Sequence, residues 1–170
     1  KFIVPFPPGG GADATARIIV QELSKALGQQ FIIENRGGGG GTIGVAAGMK
    51  SAPDGYTLFL GATGAMAISP TLVPNLPYDP TRDMAPVSKL VISPLLLAVP
   101  ASSSIRSLQD LIATARAKPG SLSYATAGNG TAHHLAGELL KQLAGIDMTH
   151  VPYKGSGPAA TDTLAGQVPV

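Results

Sequence analysis

The sequence predicts an α/β protein built as two doubly wound lobes, each with a mostly parallel sheet. Three observations carry that reading. Short apolar runs rich in β-branched residues alternate with helix-patterned segments along the chain, the arrangement that yields parallel strands joined by crossover helices. Turns rich in glycine and small residues stand where most of those runs open onto a helix. With 44% hydrophobic and only 13% charged residues over 170 positions, the chain can bury a real core, in one ordinary domain or two small lobes.

Phe2-Ile-Val4 is the first strand, and Pro5-Phe-Pro-Pro-Gly-Gly-Gly-Ala-Asp13 turns it into a helix. Three consecutive glycines, Gly9 to Gly11, leave no Cβ in the way, so backbone N–H groups at a helix start can approach an anion. The spacing matches neither G-x-G-x-x-G nor G-x-x-x-x-G-K-[ST], so dinucleotide and P-loop readings are weak. Ala16, Ile19, Val20, Leu23, Ala26 and Leu27 recur at helical spacing, and Gly28 is the stop signal. Phe31 to Asn35 reads as the second strand, Gly37 to Gly41 as its loop, and Thr42 onward as a second helix. Pro53-Asp-Gly55 is a turn signature, Tyr56 to Leu60 the third strand, and Gly61 to Ala65 the turn into another short helical piece.

Ser69 to Pro86 holds five prolines and little periodicity, which predicts an ordered surface excursion. The apolar stretch Val87 to Val99 is read as a strand that bends or crosses between lobes near Pro94, with a lobe boundary between residues 98 and 103. The first lobe is therefore assigned to 1–98 and the beginning of the second to 99–170. There, Ser107 caps a helix over 108–116 that ends at Pro119-Gly120, and Leu122 to Thr126 is a strand. Ala127 to Thr131 turns it into a helix over 132–143, and Met148 to Pro152 is the next strand. Tyr153 to Gly157 is its loop, Pro158 begins a last helix, and Val168 to Val170 reads as the first residues of a further strand.

Composition excludes several function classes. The net charge is +2 with basic residues scattered singly, which is no nucleic-acid footprint. Zero cysteines excludes disulfides and thiolate metal sites. No apolar run approaches the roughly 20 residues of a membrane span. His133 and His134 are adjacent and so cannot form an i, i+4 metal pair, and His150 has no evident partner; no metal and no cofactor are expected. Without a G-x-S-x-G elbow, Ser156 and the histidines do not make a catalytic triad, and no catalytic residue is assigned. Loops of this kind in doubly wound folds face one crevice, and backbone N–H and hydroxyl donors there suit a carboxylate. Asp13 is read as a helix cap or as an acceptor for a ligand, and Lys154 and Arg17 as solvated or as ligand-facing. The residues alone leave open an enzyme, a hydrolase of a small phosphate or acyl ester using the same loops.

An ordered series of motifs adds a resemblance. Val4-Pro-Phe-Pro-Pro-Gly-Gly10 with Asp13, Glu34-Asn-Arg36, Pro53-Asp-Gly-Tyr-Thr-Leu58, Leu76-Pro-Tyr-Asp-Pro80, Tyr124 with Ala127-Gly-Asn-Gly130, His134-Leu-Ala-Gly-Glu138 and His150-Val-Pro-Tyr-Lys-Gly155 resemble the Bug receptors. These are the extracytoplasmic substrate-binding proteins of tripartite tricarboxylate transporters. The resemblance implies a periplasmic-binding-protein-like, non-enzymatic receptor that closes two lobes on a dicarboxylate, an acidic amino acid or an aromatic acid and passes it to membrane permease subunits. It implies ligand contacts from Phe6, Pro8, Gly9, Gly10, Asp13, Thr63, Gly64 and Ala65 in the first lobe. From the second it implies Thr126, Gly128, Gly130, Thr131, Tyr153, Lys154 and Gly155. Two departures are visible: Gly37 to Gly41 replace the family's usual proline and alanine, which loosens that loop, and family members run well past residue 170. The chain is therefore expected to be truncated at its C-terminal end, its signal peptide removed, with exposed edges that invite self-association.

Overall fold

Phe2–Val4 (β1) lies at the centre of a three-stranded parallel sheet because it is apolar on both sides and can be covered on both faces. The computed structural model describes all residues from Lys1 to Val170. Ile33–Asn35 (β2) and Leu58–Phe59 (β3) flank β1, with Phe2 opposite both Ile33 and Leu58, and Ile3 opposite both Glu34 and Phe59. Residues paired in a parallel ladder share a face. Phe2, Ile33 and Leu58 meet Ala16 and Val20 of α1 (Gly11–Leu27), which ends where Gly28 turns left-handed at φ 62°. The opposite face takes α2 (Thr42–Met49), whose Gly44 abuts Pro5 and whose Gly48 abuts the ring of Phe59. Helices therefore cover both faces of the first sheet. After β3, an irregular helical turn over Gly64–Ile68 runs into the single turn α3 (Ser69–Leu72).

The second sheet is the parallel pair Ser123–Thr126 (β4) and Thr149–Pro152 (β5). Its core is Ile105, Leu111, Ala115, Leu122, Tyr124, Ile146 and Met148. Leu111 and Ala115 come from α4 (Leu108–Ala117), whose first turn is capped by the Ser107 hydroxyl accepting from the Asp110 N–H at 3.1 Å. Helix α5 (Ala132–Ala144) lays Gly137 against the Tyr124 ring, and α6 (Ser156–Leu164) follows β5. Val170 is not in a regular strand, yet its carbonyl accepts from the Ala125 N–H at 2.8 Å on the free edge of β4.

The expectation of a strand over 87–99 is corrected. Val87 to Leu97 is exposed and in no ladder: the paired strands are β2-β1-β3 and β4-β5 alone. Proline at 94, and at 86 and 100 on its flanks, also removes donors that pairing would need. The excursion over 69–86 is anchored instead by Tyr78. Its ring joins Val45 and Ala65 in a small core, and its hydroxyl donates to the Ala65 carbonyl at 2.7 Å.

Candidate functional site

The loop after β1 is shaped by Asp13, which is only 3% exposed on the first turn of α1. Its carboxylate does not cap the helix's own N–H groups; it reaches back to accept from Gly9 N–H at 3.0 Å, from Arg17 Nε at 2.9 Å and from Asn35 Nδ2 at 2.9 Å. The expectation of a helix cap is thereby corrected, the cap position being Gly10, which has no side chain to offer. Asn35 also donates to the Phe6 carbonyl at 2.9 Å, so one amide ties the ends of the loop to β2. The hydrogen bond from Arg17, with those from Gly9 and Asn35, outweighs burial and lowers the Asp13 pKa from 3.8 to about 2.

That depression stabilises the fold above about pH 4, where the unfolded carboxylate is already ionised, and the stabilisation disappears as pH falls towards 2. Its size is at most about 2 kcal/mol, because Arg17 is half exposed and screened. In urea titrations, Asp13→Asn is therefore less stable than wild type at pH 6, and the gap closes between about pH 4 and pH 2. A gap of constant size across that range would remove the ion pair from the explanation.

The loop after β4 is built from its own hydroxyls. Thr126 Oγ1 accepts from Gly128 N–H at 3.1 Å and lies 2.6 Å from His150 Nε2. Thr131 Oγ1 donates to the Gly128 carbonyl at 2.7 Å and accepts from the His134 N–H at 3.4 Å, capping α5. His134 Nδ1 in turn accepts from Gly130 N–H at 3.2 Å, and its ring stacks on His150 with centroids 4.1 Å apart. Gly128 and Gly130 have φ of 126° and 71°, which other residues rarely adopt, so this turn depends on glycine. After β5, the Tyr153 hydroxyl donates to Asp162 Oδ2 at 2.7 Å, fixing the start of the 153–157 loop against α6.

The carboxyl ends of the two sheets face each other. A Cβ added to Gly10 would stand 3.0 Å from Ser156 Oγ and 3.3 Å from Gly157 N, and one on Gly155 would stand 2.9 Å from Pro7 Cδ. On Gly64 it would stand 2.7 Å from Gly130 O and 3.0 Å from Thr131 Cα, and on Gly40 it would run into the Asn129 carbonyl. The loops after β1, β2 and β3 thus meet those after β4 and β5 at one seam. Of the residues expected to contact ligand, Gly10, Asp13, Gly64, Ala65, Thr126, Gly128, Gly130, Thr131 and Gly155 are buried along or beneath this seam. Phe6 and Tyr153 are half-buried, and Pro8, Gly9, Thr63 and Lys154 are exposed at its rim.

The chemistry of the seam is that of a hydrogen-bond donor. The N–H groups of Ala127, Asn129, Gly155 and Ser156 make no hydrogen bond within the chain, while the Asp13 carboxylate is engaged by protein donors on both oxygens. No group of three or more His, Asp or Glu side chains is placed to hold a metal ion. A shallow surface groove lies elsewhere, along α5 between Leu135, Leu139 and Ile146, with Glu138, Lys141 and Gln142 also on its lining.

Sequence reasoning missed Asn35, Gly40, Tyr78 and the histidine stack as determinants of this seam. Asn35 and Tyr78 stood inside recognised motifs, but their tasks are contacts to Phe6, Asp13 and Ala65 that no local pattern displays. His150, expected to be without a partner, has Thr126, His134 and Tyr124 around it.

Comparison with known proteins agrees with this architecture. Protein BugT of Bordetella pertussis is 43% identical over 169 residues, which are 99% of this chain and 52% of BugT. Among solved structures, Rpa4515 of R. palustris with adipate superposes with a TM-score of 0.95 at 39% identity, over 99% of this chain and 56% of that one. MatC (Rpa3494) from Rhodopseudomonas palustris with bound malate gives 0.90 at 36% identity, over 99% of this chain and 57% of that one. The chain spans about half the length of the curated relatives it matches. The family model described as tripartite tricarboxylate transporter family receptor matches residues 15–170, and by that match the chain belongs to this receptor family, to which the Bug proteins among its relatives also point.

Proposed function

We propose that this chain forms the ligand-gripping part of a periplasmic solute receptor, which captures a small carboxylate between two lobes and delivers it to the permease subunits of a tripartite tricarboxylate transporter. The lobes are residues 1–98 and 99–170. One observation carries the reading: loops bare of bulky side chains, from the carboxyl ends of both sheets, meet at one seam that offers unpaired N–H groups. An ionised carboxylate only accepts hydrogen bonds, so it complements such a surface, and contacts from both sides favour the closed form. Adipate and malate in the two similar structures support a dicarboxylate as the guest. No helix is long and apolar enough to cross a membrane.

Within this reading, Phe6, Pro8, Gly9, Gly10, Thr63, Gly64 and Ala65 form one wall and Thr126, Gly128, Gly130, Thr131, Tyr153, Lys154 and Gly155 the other. Asp13 serves by holding Gly9 and Asn35 rather than by touching ligand. Membership in a receptor family supports capture over ester hydrolysis. Calorimetric titration with adipate and with malate, followed by analysis of the recovered acid, tests it. Stoichiometric heat with unchanged acid is the expected result; turnover, or no heat with either acid, overturns the proposal.

A further inference from the structure

The two lobes hold their first binding loop by the same device, with one chemical difference. In an ordinary capping box the third residue of a helix, usually Glu or Gln, reaches back to the N–H ahead of the helix. Asp13 is the third residue of α1 and accepts from Gly9 N–H; His134 is the third residue of α5 and accepts from Gly130 N–H at 3.2 Å. A carboxylate remains an acceptor at any pH near neutrality. An imidazole does not, because its protonated form carries N–H at both nitrogens. Histidine is also the side chain whose charge changes between pH 5 and 8.

From the His134–Gly130 hydrogen bond and the stack on His150, we infer that His134 is a positioning residue: in its neutral form it holds the Ala127 to Thr131 loop, and its protonation releases Gly130 and weakens carboxylate capture. The consequence for capture rests on the receptor reading above; the hold on the loop does not.

The groups around His134 come from β4, β5, α5 and the loop itself. His150, from β5, stacks on His134 at 12° between ring planes, so two imidazolium ions would face each other at 4.1 Å. Burial holds the His150 pKa below its ordinary value, and His134 beside it adds to that effect. Behind His150 lies the ring of Tyr124 from β4, at 5.0 Å. On α5 itself, His133 is the neighbouring residue, and Glu138 is engaged by the Tyr124 hydroxyl at 2.6 Å and by Lys141 Nζ at 2.9 Å. Thr126 and Thr131 in the loop, and Ser69 and Leu72 of α3 against Gly130, are uncharged. With Glu138 occupied, no free carboxylate stands ready to take over Gly130 when His134 charges.

The test uses wild type, His134→Asn and His134→Phe. The Asn side chain places an oxygen near the position of Nδ1 and does not titrate; Phe keeps an aromatic ring against His150 and removes the acceptor. In ligand-free protein, the amide ¹H–¹⁵N signal of Gly130 should shift with pH in wild type and stay fixed in His134→Asn. In calorimetry with adipate, wild-type affinity should fall on acidification from about pH 8.5 to about pH 6, by no more than the roughly five- to tenfold of one part-buried hydrogen bond. His134→Asn should bind with little pH dependence, and His134→Phe should bind weakly throughout. A Gly130 signal that does not titrate, affinity that rises on acidification, or a wild-type profile retained in His134→Asn each overturns the inference. Absence of adipate heat at every pH, with a Gly130 signal that still titrates, rejects the carboxylate reading and supports the hold of His134 on the loop.

Discussion

Gly44→Ala lowers the stability of this protein by roughly 2 to 3 kcal/mol. The added Cβ would stand 2.5 Å from Pro5 Cα and 2.7 Å from the Arg36 carbonyl oxygen. Both are backbone atoms of segments leaving the first sheet, and neither can rotate away as a side chain would. Helix α2 must retreat from the sheet, or β1 and β2 must move apart beneath it. Alanine's better helix propensity, about 1 kcal/mol over glycine, offsets part of this overpacking. At roughly 2 to 4 °C per kcal/mol for a chain of this size, the midpoint of thermal unfolding drops by about 5 to 10 °C. Gly11→Ala is the matched control: it lies in α1, and nothing stands within 4 Å of its Cβ position, so it should be neutral or slightly stabilising. A Gly44→Ala midpoint within about 2 °C of wild type would show that α2 yields more easily than the contact distances imply.

The second large effect is on binding. On the receptor reading proposed above, Gly64→Ala should weaken adipate or malate binding about 10- to 100-fold, equivalent to about 1.4 to 2.7 kcal/mol, with a much smaller effect on the first sheet and its helices. Gly64 does not have a left-handed backbone, so alanine fits its local conformation. The atoms nearest to its Cβ belong to the loop after β4, Gly130 O and Thr131 Cα. The methyl group therefore acts as a wedge in the seam, and a wedge opposes the closed form selectively. Small-angle scattering on the acid-saturated protein supplies the second readout: the variant should keep a larger radius of gyration than wild type. Wild-type affinity together with wild-type dimensions would mean that closure does not bring these backbones into contact.

Much of the fold was legible along the chain. Alternation of strand and helix, the stop at Gly28, the Ser107 cap and the small-residue loops all rest on interactions between near neighbours, so a linear reading recovers them. The strand expected over 87–99 failed because a strand is a partnership. Its apolar residues announce burial, but the partner edge is a property of the sheet and is not written in the segment itself. Asp13 shows the intermediate case. A carboxylate at the start of a helix was read as its cap, whereas it holds Gly9 ahead of the helix and Asn35, an engagement that depended on β2 lying beside β1.

By itself, then, the sequence determined the element types, the mostly parallel architecture and the chemical character of the loops, because these follow from local backbone preference and hydrophobic period. Only the tertiary structure decided which small residues matter at the seam. Gly61 and Gly64 stand in the same loop, yet a Cβ on the first meets only the flexible side chain of Met66, and on the second the backbone of Gly130 and Thr131. Likewise His150 became the stacking partner of His134 only once β5 was laid beside β4. How closely two distant backbones approach is set by the packing of whole layers, and periodicity carries no record of it.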